Sequence, residues 1–346
     1  MPKKKFQINL KTPKFWLKIN LISIILLPLS LIYLIAYRLK YFFSHKRKIS
    51  NITICVGNLI AGGAGKTPFA IALGDIIKKR IAINFCFLTR GYKGKNLDFA
   101  MVDDDLKKQH YLGDESLILS SRYPTFIAKN RLLALQKISQ DFKNFKITIC
   151  DDGLQDKKID YDIKIIIIDG NIAFGNNLLI PAGPLRETIY PAIIECDFIA
   201  IINSPNNKKL QQIIDKFRDK IIYTQIVGKN ISDFSQKKLW AFTGIAYPDK
   251  FFDFLINNNL IISKNTRFAD HYNYSQEELE IMIVDAKKMG LTLITTEKDW
   301  IKFPANIKKE IEYLEIEISI INPEIVIRKI DNVTSLSLPD LRLKMR

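Results

Sequence analysis

The sequence predicts an α/β protein of two units, led by a basic-flanked apolar helix. Three stretches carry that prediction. Asn51 to Leu73 reads as strand, glycine-rich turn, Lys-Thr and helix. Lys146 to Cys150 and Ile163 to Ile168 read as buried strands, the second nearly continuous Ile, as in a parallel strand covered on both faces. Ile19 to Tyr37 is a run of nineteen residues without a charge. A chain of 346 residues with 47% hydrophobic content is long enough to bury a substantial core.

The N-terminal block sets the charge. Residues 1 to 50 hold eleven Lys or Arg and no Asp or Glu, so most of the formal charge of +16 sits there. Such a block suits anionic lipid headgroups or nucleic acid, and the apolar run inside it favours lipid. As a helix that run would extend ~28 Å, about one hydrocarbon thickness. A secretory signal is one rival. Against it stand the length of the run, the lack of a small-residue cleavage site, and the nucleotide-type loop just downstream. A buried soluble helix is the other rival. Positive charge flanks both ends, so orientation is open. Pro28 allows a kink, and a tilted or half-inserted anchor stands beside a span.

Ile52 to Val56 is a β-branched strand, and Gly62, Gly63 and Gly65 form the turn after it. Glycines let backbone amides converge on phosphate oxygens, and the following helix N-terminus adds partial positive charge. Lys66 would reach the β- and γ-phosphates and the Thr67 hydroxyl would ligate magnesium. The strict P-loop pattern has Gly five residues before Gly65, and here that residue is Ile60. A glycine-rich turn with an incidental lysine is the bland alternative; the flanking strand and helix argue against it.

Ile83 to Leu88 is a second strand, and Lys93 to Lys108 a polar loop or hairpin. Gly113-Asp114-Glu115 introduces an apolar run, where local sequence favours Asp114 as a helix N-cap. Thr125 to Ala128 is a short strand, and Asn130-Arg131 opens a helix. Lys146 to Cys150 runs into Asp151-Asp152-Gly153, a hydrophobic strand ending in acid, which places a carboxylate beside a P-loop magnesium. Gly175 to Glu187 is too rich in Gly, Pro and Asn for regular structure. Its one cation, Arg186, reads either as a surface ion pair with Glu187 or as a substrate contact on a long loop. Phe198 to Ile202 looks like the start of a second α/β unit, followed by helices over Lys208 to Lys220 and Pro248 to Asn257 and strands at Leu239 to Thr243 and Leu291 to Thr295. His271 follows Asp270, and a lone His is more often structural than catalytic. The four cysteines lack metal-ligand spacing and read as small buried hydrophobes of a reducing compartment.

Together these stretches resemble the tetraacyldisaccharide 4′-kinase family of lipid A biosynthesis, over nearly the whole chain. The residues that carry the resemblance are the basic N-terminal anchor, Val56 to Pro68, Thr89 to Tyr92, Gly113 to Glu115, Asp151 to Gln155, Ile180 to Glu187, Phe268 to His271 and Thr295 to Asp299. Ile60 is the family's own version of the loop. The resemblance implies a P-loop α/β/α kinase core followed by a smaller α/β/α domain, with an N-terminal membrane-anchoring helix. The expected boundaries are an anchor over 1–48, the core over 49–195 and the smaller domain over 196–346. It implies transfer of the ATP γ-phosphate to the 4′-hydroxyl of a lipid A disaccharide 1-phosphate, with Mg2+. Asp114 would act on the sugar hydroxyl, assisted by His271. Ile60, Ala61, Gly62, Gly63, Ala64, Gly65, Lys66 and Thr67 would cradle ATP. Thr67, Asp151, Asp152 and Glu115 would serve the metal, Lys66 the ATP in catalysis, and Arg186, with Glu115, would help arrange the catalytic site. The family commonly has His where this chain has Asp156, which puts any role of that position in doubt. The implied setting is a monomer on the anionic cytoplasmic face of the inner membrane, binding no nucleic acid. Two rivals are a membrane-bound P-loop switch, which usually carries Lys where this chain has Ala61, and an ATP-dependent ligase that needs an amine.

Overall fold

The computed structural model describes residues 13–91, 97–108, 112–205 and 207–337; Tyr92 lies outside the described residues. The chain divides into two compact units, one of Phe15–Val227 with Glu317–Arg346, the other built on Gly228–Ile316.

The larger unit begins with α1 (Leu21–Ile25) and α2 (Leu27–Phe42). Asn20 opens α1 with a reciprocal cap, its side chain accepting from the Ser23 amide while the Ser23 hydroxyl accepts from the Asn20 amide. The expected single helix is interrupted at Leu26, since Pro28 has no N–H for the preceding turn and sits in the first turn of α2. No helix among the described residues is long and apolar enough to cross a membrane. The usual sidedness is inverted in α2. Ser30 is its buried residue, whereas Leu29, Leu31, Ile32, Ile35 and Leu39 are all more than half exposed.

Next come β1 (Ile52–Asn58), α3 (Lys66–Ile76), β2 (Phe85–Thr89), β3 (Ala100–Met101), α4 (Asp104–Lys108) and α5 (Asp114–Arg122). They are followed by β4 (Thr125–Ile127), α6 (Arg131–Asp141), β5 (Ile147–Asp151) and β6 (Ile163–Asp169). The run closes with α7 (Ile189–Glu195), β7 (Phe198–Ile202), α8 (Lys208–Lys216) and β8 (Ile221–Gly228). β1 lies in the middle of the sheet, parallel to β6 on one side and β5 on the other. Alternate residues feed two cores. Ile54 and Val56 of β1, with Ile165 and Ile167 of β6, pack under α3, while Cys55, Ile166 and Ile168 face α6, α7 and α8. Burial on both faces explains why these strands lack a polar alternation.

The smaller unit contains β9 (Lys238–Thr243), α9 (Pro248–Asn257), β10 (Ile261–Arg267), α10 (Gln276–Met289), β11 (Thr292–Thr296), α11 (Glu297–Trp300), α12 (Ala305–Lys308) and β12 (Glu312–Leu314). Its sheet runs β10-β9-β11-β12 with every described pair parallel. Trp240 and Phe242 pack with α10 on one face, and Leu239 and Ala241 with α9 on the other.

The chain then returns to the larger unit as β13 (Ile316–Ile320) and α13 (Glu324–Ser337). The larger sheet has nine strands in the order β13-β8-β7-β6-β1-β5-β2-β4-β3, with β3 antiparallel to β4. β7, β8, β13 and α13 therefore belong with the nucleotide-type core, and the boundary expected at 195/196 falls inside one sheet. The reason is burial: Ile199 and Ile201 enter one core of that sheet, and Ala200, Ile318, Val326 and Ile330 enter the other.

Candidate active site

The carboxyl ends of β1 and β5 create the site, at the centre of a parallel sheet where such folds bind ligands. Asp151 ends β5 opposite Val56, two residues before Asn58 closes β1. Gly65 caps α3 in the left-handed region at φ 81°. A Cβ there would stand 2.5 Å from Ile202 Cδ1, so both backbone and space call for glycine. The turn delivers Lys66 and Thr67 to the same edge. Lys66 Nζ lies 3.3 Å from Asn58 Oδ1 and 3.7 Å from Asp152 Oδ1. Thr67 Oγ1 donates to Asp151 Oδ2 at 3.0 Å.

The two aspartates differ. Asp151 is buried, and its carboxyl is pushed up to about 6 by burial, against the pull of Lys66. Its Oδ1 is buried with no hydrogen-bond partner among the described residues. Asp152 adopts a left-handed φ of 53°, a conformation that costs a non-glycine residue about 1 kcal/mol or more. That twist turns its carboxylate toward cations. Arg186 Nη1 donates to both oxygens at 2.8 and 3.0 Å, and with Lys66 it outweighs burial to hold Asp152 below its ordinary value.

Of the residues expected to serve a metal, Thr67 and Asp151 are brought into contact, and Asp152 is engaged by Arg186 and Lys66. Glu115 lies close enough to Asp151 for its charge to raise that carboxyl. No group of three His, Cys, Asp or Glu forms a metal cage among the described residues. A magnesium ion does not require one: it binds through one or two protein oxygens plus phosphates and water. The buried, unpartnered Asp151 Oδ1 beside the Thr67 hydroxyl fits that hard cation.

Within the expected ATP cradle, Ile60 and Ala61 also pair with another segment. The Ala61 amide donates to Pro184 O and the Arg186 amide to Leu59 O, both at 2.8 Å, pairing this end of the loop with the 175–187 segment. Gly62, Gly63, Ala64, Gly65, Lys66 and Thr67 follow as the turn and the start of α3. Asp114 and Glu115 occupy the first turn of α5, where Gly113 is the cap, so Asp114 lies one residue past the N-cap position that local sequence favoured for it. His271 lies in the smaller unit in a left-handed conformation at φ 56°. Its amide donates to Gly244 O at 2.8 Å, and its Nε2 stands 3.4 Å from Lys298 Nζ and 3.9 Å from Asp270 Oδ1.

Four residues stood outside the sequence reading of the site. Asn58 is fully buried and accepts from Lys66. Arg131, also buried, donates to Asp151 O at 2.7 Å. Gln155 accepts from Arg186 at 3.2 Å and donates to Glu187 at 2.9 Å. Glu187 is buried and takes a lysine, Lys157, at 3.0 Å as well. The available signal was a polar residue closing an otherwise apolar buried strand, as Asn58 does. Asp156 sits half-buried in the turn after Gly153.

Residues 22–335 match the tetraacyldisaccharide-1-P 4′-kinase family, LpxK. Tetraacyldisaccharide 4′-kinases of Rickettsia felis and Rickettsia akari are each 37% identical over 323 residues, covering 93% of this chain and 97% of theirs. A crystal structure of LpxK from Aquifex aeolicus in complex with ATP superposes with a TM-score of 0.68 at 22% identity, over 90% of this chain and 99% of that one. The chain belongs to the tetraacyldisaccharide-1-P 4′-kinase family.

Proposed function

We infer that the protein is an ATP-dependent tetraacyldisaccharide 4′-kinase, moving the γ-phosphate to the 4′-hydroxyl of a lipid A disaccharide 1-phosphate. The observation that carries this is the convergence of Lys66, Thr67, Asp151, Asp152 and Arg186 in a chain that matches the family from residue 22 to 335. Phosphoryl transfer passes through a loose transition state, so the protein supplies position and charge. Lys66, kept near Asn58 and Asp152, meets the charge that builds on the transferred group. Arg186 neutralises Asp152 in the free enzyme and is placed to bind phosphate oxygens. Thr67 and Asp151 would hold magnesium, which when bound offsets charge on the β- and γ-phosphates. Asp114 would take up the proton of the sugar hydroxyl with His271 assisting, a role that rests on family resemblance and on acid–base chemistry.

The inverted α2 supports a membrane role. Its exposed Leu and Ile, preceded by a basic segment, suit a helix lying in the anionic cytoplasmic leaflet with its polar edge toward the protein. In this reading the enzyme works as a monomer at the inner membrane and binds no nucleic acid. The test is mass spectrometry of the disaccharide 1-phosphate incubated with protein, ATP and magnesium and no amine. The expected result is a gain of one phosphate at the 4′ position; unmodified glycolipid would overturn the assignment.

A further inference from the structure

The polar edge of α2 does more than seat the helix. Ser30 Oγ donates to Leu179 O at 2.8 Å and accepts from the Ala182 amide at 3.0 Å. One turn on, Tyr33 Oη donates to Arg186 O at 2.7 Å. A further turn on, Tyr37 Oη donates to Glu187 Oε2 at 2.7 Å. Spacings of three and four put these hydroxyls on one stripe. That stripe straps the 175–187 segment, and in particular the backbone of the cationic Arg186 and the side chain next to it.

From Glu187 the chain of bonds runs inward without a gap. Gln155 Nε2 donates to Glu187 Oε1 at 2.9 Å and to Asn58 O at 3.1 Å. Gln155 Oε1 accepts from Arg186 Nη1 at 3.2 Å, and Arg186 holds Asp152. Glu187 is only 3% exposed, so its bonds are made in a medium where they are strong and costly to lose. The opposite edge of the segment is paired to the phosphate loop through the Ala61 and Arg186 amides, so movement on the α2 side has somewhere to go.

We propose that Tyr37 and Glu187 are positioning residues for the Arg186–Asp152 pair, so that the seating of the lipid-facing helix sets the geometry of the phosphoryl-transfer site. This rests on the kinase reading above. Seating of α2 at a lipid surface fixes Tyr33 and Tyr37, and these fix Arg186 through its carbonyl, Glu187 and Gln155. An enzyme so wired works best with the helix in lipid, where its substrate resides. A purely structural role for the tyrosines would lower stability without selecting kcat.

The experiment uses the full chain with tetraacyldisaccharide 1-phosphate in vesicles of phosphatidylethanolamine and phosphatidylglycerol. Tyr37→Phe removes one hydroxyl and leaves the apolar face intact. The expected result is a kcat reduced roughly tenfold, as for loss of one hydrogen bond to a charged group, with vesicle sedimentation and the KM for ATP unchanged. Tyr41→Phe, which removes a bond to exposed Glu195 outside this chain, should leave kcat unchanged. In an Arg186→Lys background the Tyr37→Phe loss should largely vanish, since both act through one network. Equal kcat for Tyr37→Phe and wild type overturns the coupling and leaves the kinase assignment standing. So does a loss that tracks vesicle binding or adds fully to Arg186→Lys. A wild-type protein that forms no phosphorylated product overturns the kinase assignment itself.

Discussion

Two buried aspartates, Asp151 at the end of β5 and Asp299 in α11 just after β11, separate the chemistry of the larger unit from the architecture of the smaller. Asp299 is fully buried and saturated. Its Oδ2 accepts from Thr243 Oγ1 at 2.7 Å, the Gly244 amide at 2.9 Å and Thr296 Oγ1 at 2.9 Å, and its Oδ1 pairs with Lys302 at 3.1 Å. Through Gly244, whose carbonyl takes the His271 amide, it fixes the turn that presents the imidazole. Asp151 is also buried, yet among the described residues one oxygen has only Thr67 and the other no partner. A buried carboxylate with its bonds complete holds a fold; one left incomplete at the edge of a phosphate loop would suit a cation.

The comparison can be broken at either end. The largest effect belongs to the charge beside Asp151. Lys66→Ala should reduce kcat roughly 10³-fold or more, about 4 kcal/mol of transition-state stabilisation, with an unchanged melting temperature. Near-normal turnover would mean the cradle is misassigned. Asp299→Ala should do the reverse. Leaving Lys302 and three donors without their acceptor should cost about 3–4 kcal/mol in denaturant unfolding, and ATP binding by protein that stays folded should persist.

Asp151 supplies a pH signature of its own. Its carboxyl sits at about 6 in the folded protein against an ordinary 3.8. Between those values the folded state keeps a proton that the unfolded chain has lost, so stability falls as pH rises through the window. The total is about 3 kcal/mol, complete above pH ~6. Asp151→Asn cannot titrate, so metal-free wild type should lose that much relative to the variant between pH ~4 and ~7; parallel profiles would contradict the orphaned-carboxylate account. The variant should also lose the stabilisation that magnesium and ATP give the wild type. The smallest effect is expected on α2. Ile32→Glu and Ile35→Glu, on its exposed face, should change stability by less than about 0.5 kcal/mol while weakening vesicle sedimentation, at about 1 kcal/mol per half-buried side chain.

Much of the active-site edge was legible because its signals are local. A β-branched run, a glycine turn and Lys66-Thr67 specify a strand, a left-handed cap and a helix start within about fifteen residues. The acid at the end of Ile147–Asp151 follows from the same short-range pattern. Glu187 was not legible: beside Arg186 it looked like a surface pair, whereas it is buried and bound to Tyr37, Gln155 and Lys157 from distant segments. The N-terminal helix was legible from its apolar run, but its break at Leu26 and its polar stripe depend on Pro28 and on the loop it straps.

By itself the sequence determined where strands, turns and charged groups occur, because backbone sterics, side-chain period and capping act over a few residues. Which strands share a sheet was decided only in three dimensions. Ile199, Ile222 and Ile318 are as apolar as any strand of the smaller unit, and apolar surface carries no address. They joined the nine-stranded sheet because its two faces offered the burial, bringing β13 and α13 back to the core where the phosphate loop begins.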